Sequence, residues 1–340
     1  MSFSRYVVRR IFTSIITIFG ILVITFFITR ALPGDPAWIR LPAKATYEQY
    51  LAQRKRLGLD KPFYIQFMIF VKDMFTGNWG YSYTLTRDSP VWGLVMQKLP
   101  RSLEIMFISM TIAIIFGLML GKISGAHKNS KRDILIRCIS YFFVSIPAFV
   151  IILFFMQLYV NTSFRIFPLF GYKTFYYEEP PTITNFPLLD SLISGKLYLF
   201  VDLLWHMIVP VSAMTLIQLV IIMRQTRASM IETMEKDFIL VARAKGCSTK
   251  HIMNKHAFKN AIPPGILASG MGFAIILGGM IAVEKLYYFP GLGWMFHDAI
   301  YYSDYNIITA TIFVFSIVSI IFNFISDLII AMLDPRIRIK

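Results

Sequence analysis

Charged residues are scarce in this chain. Of its 340 residues, 16% are Asp, Glu, Lys or Arg, whereas 56% are hydrophobic. A soluble globular protein has roughly a quarter charged residues. The composition therefore excludes an ordinary soluble domain and is typical of a protein embedded in a lipid bilayer.

Residues that hold metals or perform catalysis are also few. The two cysteines, Cys138 and Cys247, have no paired spacing, so neither a disulfide framework nor a zinc site is predicted. The five histidines form no HExxH motif, and no serine lies in a G-x-S-x-G elbow. We therefore predict no metal site and no catalytic residue. An intramembrane enzyme is the alternative from a different class, but it lacks a catalytic constellation.

Long apolar runs, by contrast, are abundant. A hydrocarbon core about 30 Å thick requires on the order of 20 apolar residues in a helix. The first run is too long for a signal peptide and is followed by no cleavage site, so we expect it to be retained. The sequence thus predicts an all-α polytopic membrane protein whose six transmembrane helices lie at about 11–31, 102–121, 138–160, 203–223, 265–283 and 306–332.

The distribution of Lys and Arg indicates how these helices are oriented. With both chain ends placed in the cytoplasm, the inner segments carry almost all of the net charge of +15, whereas the outer segments are nearly neutral. Cytoplasmic loops are enriched in Lys and Arg, so this N-in/C-in arrangement is favoured. Nucleic-acid binding, the other explanation of a basic chain, requires a soluble basic face that is missing here.

The chain divides into three parts. Residues 1–32 form an N-terminal transmembrane helix, which two prolines and a glycine end within the motif LPGDP at 32–36. Residues 33–99 form an extracytoplasmic segment that we expect to pack on the membrane part or on a partner. Residues 100–340 form a core of five helices with a cytoplasmic loop at 224–264.

The cytoplasmic loop 224–264 is far longer than a helix–helix connection requires. Within it, Met230–Lys245 contains no Gly or Pro and predicts a single helix that Gly246 ends. Such a helix could lie flat on anionic lipid or insert its small-residue end into a groove of another protein. The pattern leaves both interpretations open. One stripe of the predicted helix contains Met234, Phe238, Val241 and Ala242.

Three stretches of this loop resemble a known family: RQTRASM at 224–230, DFILVARAKG at 237–246 and HAFKNAIP at 256–263. They look like the EAA loop in the transmembrane subunits of ABC importers for di- and oligopeptides. The resemblance extends over the whole chain, because similar motifs occur in the same order at 32–36, 57–62, 77–80, 145–149, 289–293 and 333–336.

The resemblance implies a type I ABC importer permease fold in the cell membrane. This chain would pair with a second, homologous permease subunit, with two ATP-binding subunits that bind ATP and magnesium, and with an extracytoplasmic substrate-binding protein. No cofactor is expected in this chain and no nucleic acid is expected as a partner. Oligosaccharides or nickel chelates are alternative cargoes within the same family, and a secondary carrier is a more distant alternative.

The family's loop docks on the ATP-binding subunit and couples ATP hydrolysis to the opening of the pore. Counted back from Gly246, the EAA triplet falls on Leu240, Val241 and Ala242, and its acidic residue is absent. A salt bridge made by that acid is therefore not expected. The resemblance assigns to the coupling contact Asp237, Leu240, Val241, Ala242, Arg243, Ala244, Lys245 and Gly246.

Several residues within the helices are candidates for the pore or for gating. Glycines and polar side chains there can also serve helix packing, which is the expected role of the pair Gly117 and Gly121. Two charged residues are interpreted as structural: Glu104 as the partner of Arg101, and Asp327 as the partner of inner basic side chains. The pore candidates are Pro147, Gln218, Gly270, Gly278 and Gly279.

Overall fold

A computed structural model describes residues 3–31, 35–39, 41, 44–161 and 166–333, and these residues are helical almost throughout and form no strand. The first half contains α1 (Phe3–Ala31), α2 (Pro36–Ile39), α3 (Tyr47–Arg56), α4 (Phe63–Thr76), α5 (Val91–Ala126), α6 (Lys131–Val144) and α7 (Ala148–Asn161). The second half contains α8 (Pro187–Ile193), α9 (Leu197–Met234), α10 (Asp237–Ala244), α11 (Thr249–His251), a π-helical turn (Ile252–Ala257), α12 (Phe258–Leu286), α13 (Leu292–Tyr301) and α14 (Tyr305–Leu333).

Among the described residues, five continuous helical stretches are long and apolar enough to cross a bilayer: α1, α5, α9, the stretch Thr249–Leu286 and α14. The predicted third helix, 138–160, is not straight. It is divided into α6 and α7, which meet at an angle of 88°. The bend lies at Ser145–Pro147, because proline lacks an amide hydrogen and disfavours the helical conformation of the residue before it.

The bent pair nevertheless passes from one end of the bundle to the other. At the start of α6, Asp133 bonds to Arg227 near the inner end of α9. Beyond α7, the amide of Gly171 donates to the carbonyl of Tyr287, just after the outer end of α12, at 2.7 Å. The pair therefore counts as one crossing, and the prediction of six crossings is confirmed.

The described inner ends of α1 and α14 lie at the same end of the bundle. Arg10 of α1 forms an ion pair with Asp327 of α14, which confirms the prediction that Asp327 has an inner basic partner. The excess of Lys and Arg assigns this end to the cytoplasm. The predicted helix break at 32–34 and the C-terminal segment 334–340 lie outside the described residues.

The centre of the bundle is the pair α5 and α9, packed along a seam of glycines. A Cβ atom built on Gly117 would lie 2.9 Å from Ile222, one on Gly121 would lie 2.6 Å from Thr226, and one on Gly125 would lie 2.6 Å from Met230. Close contact of this kind is how helices associate in lipid, where burial of apolar surface supplies little force. The packing role predicted for Gly117 and Gly121 is confirmed.

The extracytoplasmic segment rests on the membrane helices. Phe26 of α1 contacts Phe63, Phe67 and Phe70 of α4, with ring centroids 5.4 to 5.9 Å apart. Phe26 is buried by these contacts, whereas Phe63 stays largely exposed. Since α5 already begins at Val91, the proposed boundary between residues 99 and 100 falls inside a helix.

Candidate functional site

The predicted helix Met230–Lys245 is in fact two helices. Helix α9 ends at Met234, the chain turns at Glu235 and Lys236, and α10 begins at Asp237. No Gly or Pro causes this break. The turn is closed by backbone hydrogen bonds from Glu235 to Glu232 and from Lys236 to Thr233. It redirects the chain so that α10 packs on the π-helical turn Ile252–Ala257, which precedes α12.

Helix α10 ends in a Schellman motif. Gly246 has a φ angle of +76°, its amide donates to the carbonyl of Arg243, and the amide of Cys247 donates to the carbonyl of Ala242. Only glycine adopts this left-handed conformation without cost. No described atom lies within 4 Å of a Cβ built on Gly246, so this end of α10 is open to a partner.

One face of α10 packs on the protein and the other is exposed. Ile239 and Ala242 are buried in a small cluster with Met230 of α9 and residues 252–261. The predicted stripe does not correspond to this buried face, because Phe238 and Val241 lie outside it. The exposed apolar side chains of α10, with their exposed fractions, are Phe238 (40%), Leu240 (57%) and Val241 (53%).

Basic residues border this apolar patch. Arg243 and Lys245 are exposed at the C-terminal end of α10, and Asp237 is exposed at its start. The acidic group at the N-terminus and the basic group in the last turn both interact favourably with the helix dipole. An exposed apolar centre with a charged border is the composition of a protein docking surface.

The five pore candidates are not brought together. Gln218 is buried and donates from Nε2 to the carbonyl of Gly272 at 3.2 Å, so it bonds α9 to α12. Gly270 packs against Ser326 of α14 and Gly279 against Met214, whereas Gly278 is exposed on the surface of α12. Pro147 lies at the bend of the third crossing.

A buried acid at the outer end of α12 was missed by the sequence analysis. Glu284 accepts hydrogen bonds from Ser102 Oγ at 2.5 Å and from the amide of Trp294 at 3.0 Å. Gly291 contacts the carboxylate so closely that a side chain there would collide with it. The predicted helix ended at residue 283, so Glu284 was counted with the loop; the glycines of FPGLG at 289–293 were the available signal.

Glu104 does not form the predicted ion pair with Arg101. Its carboxylate accepts a hydrogen bond from the amide of Leu188 at 2.8 Å, at the N-terminus of α8, where the helix dipole favours a negative charge. The guanidinium of Arg101 instead lies over the ring of Tyr172 at 4.8 Å. In the same outer loop, the hydrogen bond from Lys196 lowers the pKa of Glu178, with a further contribution from Tyr198.

Asp304 fastens the external segment to α14. Its buried carboxylate accepts hydrogen bonds from Ser82 Oγ at 2.6 Å and from the amides of Tyr83 at 2.8 Å and Thr84 at 3.1 Å. Hydrogen bonds to a charged group contribute about 1.5–3 kcal/mol each. The loop between α4 and α5 is therefore held on the outer end of α14.

Removal of this carboxylate should release the loop. For Asp304→Ala we expect trypsin added to the outer face to cut after the exposed Arg87 at least about tenfold faster than in the native chain, because the loss exceeds the 1.4 kcal/mol of a tenfold change. Asp88→Asn, which removes a carboxylate from the same loop, is the control. Equal cleavage of Asp304→Ala and native protein would contradict the assignment.

Two family models match almost the whole chain. The model described as binding-protein-dependent transport system inner membrane component matches residues 113–339, and its N-terminal counterpart matches residues 3–106. The chain belongs to this family. As a binding-protein-dependent transport permease it is a multi-pass protein of the inner membrane and a transport component rather than an enzyme.

Curated relatives of this permease have the same length. The dipeptide transport system permease protein of Lactococcus lactis subsp. cremoris is 31% identical, and the match covers 98% of this chain and 99% of the relative. The di/tripeptide transport system permease protein of Pseudomonas aeruginosa is 33% identical, with 98% of both chains covered. The oligopeptide transport system permease protein of Bacillus subtilis is 30% identical, with 98% and 99% covered.

A solved structure shares the fold of this permease. A chain of the inward-facing MetNI methionine ABC transporter superposes with a TM-score of 0.53 at 17% identity. The match covers 72% of the permease and 99% of the solved chain. The predicted type I ABC importer permease fold is thereby confirmed. The permease also contains residues outside the region that matches the solved chain.

Proposed function

We propose that this permease forms one half of the pore of an ATP-driven importer of di- or oligopeptides. The names of three relatives at 30–33% identity, which match over at least 98% of both chains, support a peptide cargo. A glutathione transport permease of Escherichia coli K12, 30% identical, extends this support to a modified tripeptide. An oligosaccharide or nickel-chelate importer of the same family is the second candidate.

The observation that carries this proposal is the exposed apolar face of α10. Phe238, Leu240 and Val241 project from a short helix whose other face is fixed to α9 and α12. Docking on an ATP-binding subunit would bury this face, and Gly246 would allow the two backbones to approach closely. ATP and magnesium would be bound by that subunit, and this chain would need no cofactor.

The packing of α10 supports a mechanism for coupling. Ile239 contacts the cluster that includes Met230 of α9 and Ala261 of α12. A displacement of α10 would therefore move the inner ends of two spanning helices. ATP binding would draw the two ATP-binding subunits together, α10 would transmit the movement, and the pore shared with a second, homologous permease subunit would open outward.

The outer face would receive the substrate-binding protein. We place its contact on the external segment 33–99 and on residues 284–305, which the Asp304 carboxylate joins into one surface. Cross-links from these residues that reach only lipid would contradict this placement.

Purification of the complex tests the proposal. When the tagged permease is co-expressed with its partner subunits and isolated in mild detergent, ATP-binding subunits should co-purify. Val241→Asp places a charge at the centre of the exposed face and should reduce their recovery about tenfold or more, since a buried contact of this kind contributes about 2 kcal/mol. Phe175→Asp, at an outer side chain that is 90% exposed, is the matched control.

Two results would refute parts of this proposal. Undiminished recovery of the ATP-binding subunits with Val241→Asp would refute docking through α10. A catalytic activity that survives in the permease without those subunits would refute the transport role. Mass spectrometry of ligands retained by the companion binding protein distinguishes peptides from oligosaccharides or nickel chelates.

A further inference from the structure

The inner ends of three crossings meet at one buried carboxylate. Asp133, in the first turn of α6, is fully buried and bonds to Arg227 of α9 through both oxygens, each at 2.8 Å. Ser124 of α5 donates to the same carboxylate at 2.5 Å, and the amide of Asn129 donates at 2.9 Å. Bidentate pairing of this kind fixes orientation as well as distance.

This cluster attaches the start of α6 to the bundle. Of the residues of α6, only Asp133 and Ser140 are buried, while its apolar side chains are largely exposed. Apolar packing therefore holds α6 weakly. The hydrogen bonds of the buried Asp133 carboxylate supply the attachment that packing does not.

The cluster also lies between the docking helix and the bent crossing. Arg227 is two turns from the end of α9, next to Met230, on which α10 rests. On the other side, α6 leads to the bend at Ser145–Pro147 and to α7, which packs against α9 and α12. A bend of 88° without continuous helical hydrogen bonding is a suitable hinge.

We propose that the Asp133–Arg227 pair is a positioning contact that makes α6 follow α10 during the transport cycle, with Ser145–Pro147 as the hinge. The inference rests on the proposed docking of α10 on an ATP-binding subunit. It adds a second route by which the movement of α10 reaches the pore, through α6 and α7 in addition to α9 and α12.

The two cysteines provide probes for this movement. Cys138 is exposed on α6, and Cys247 lies three residues after the end of α10 and is partly exposed. Spin labels on both, in the complete complex with cysteine-free partner subunits, report the distance between α6 and α10. In the native chain we expect one narrow distance distribution that is the same with and without ATP.

Arg227→Gln should uncouple the movement of α6 from the movement of α10. Asp133 keeps Ser124, the Asn129 amide and Arg137, whose Nε lies 3.4 Å away, so the chain is expected to fold. The distance distribution should broaden when ATP is added, and solute transported per ATP hydrolysed should fall about tenfold, within the usual range of coupling between sites. Arg227→Lys, which keeps the charge without the bidentate geometry, should give an intermediate result.

The control removes a surface ion pair between the loop that precedes α6 and the turn that precedes α10. Lys128 and Glu235 are both exposed and lie 3.1 Å apart, so Lys128→Gln should leave both measurements unchanged.

A narrow distribution and full transport per ATP in Arg227→Gln would overturn the inference, as would a broad distribution in the native chain. If Arg227→Gln fails to assemble, native behaviour of Arg227→Lys would overturn it. Absence of ATP-binding subunits from the native complex would refute the proposed function, and this inference with it.

Discussion

Replacement of Gly246 by leucine should abolish transport while the permease remains inserted in the membrane. The φ angle of +76° at this position costs about 1–2 kcal/mol for leucine, as for most residues with a Cβ. The leucine side chain would also project from the end of α10 into the space through which a partner approaches. Uptake into proteoliposomes of the reconstituted complex, compared with the amount of inserted permease, measures the effect.

Two further variants separate backbone strain from bulk. Gly195 on the outer side also has a positive φ angle, +72°, and no described atom near its Cβ position, so Gly195→Leu carries a similar strain without blocking α10. In Gly246→Asn, the asparagine tolerates the left-handed conformation, and its side chain is smaller than that of leucine. We expect transport to be near native for Gly195→Leu and partly retained for Gly246→Asn. Normal uptake by Gly246→Leu would rule out docking at this end of α10.

Replacement of Gly121 by leucine should prevent α5 and α9 from packing. Its first side-chain atom would lie 2.6 Å from Thr226 and 2.8 Å from the carbonyl oxygen of Met223, closer than any stable contact. Overpacking typically costs about 1–3 kcal/mol where neighbours can shift, and here one neighbour is backbone. We expect little or no monodisperse protein in size-exclusion chromatography and a clearly lower melting temperature for any that is recovered.

Gly20 provides the matched control. It lies in a membrane-spanning helix, α1, but no described atom is within 4 Å of its Cβ position. Gly20→Leu makes the same chemical change at a site with no close neighbour, so yield and melting temperature should remain near native. If Gly121→Leu folded as well as Gly20→Leu, the close approach of α5 and α9 would be incorrect.

The sequence predicted the crossings well because bilayer thickness alone determines their length and composition. It could not predict whether a crossing is straight or bent, since hydropathy is the same for both. Pro147, predicted as a pore or gating residue, lies at the bend between α6 and α7, and its role in the pore remains a prediction. Likewise, the turn at Glu235 and Lys236 has no local signal and arises from the packing of Ile239 on residues 252–261.

Buried polar groups were predicted less well than glycines. Gly121 could be assigned to packing because small residues four apart share one helix face, which is a local property. Glu284 and Asp304, in contrast, are bonded by residues that are 182 and 222 positions away in the chain, Ser102 and Ser82. Their roles depend on tertiary contacts that no short motif encodes. The coupling residues at 237–246 remain predictions, as do the domain boundaries.

The ion pair between Arg10 and Asp327 has a consequence for biosynthesis. A ribosome synthesises α1 before α14, so the partner of Arg10 does not exist until translation has reached α14. Before α14 is made, α1 can pack against α4, which is one of the described helices that it contacts. The ion pair that fixes α1 against α14 can therefore form only late in synthesis, after most of the bundle has already been inserted.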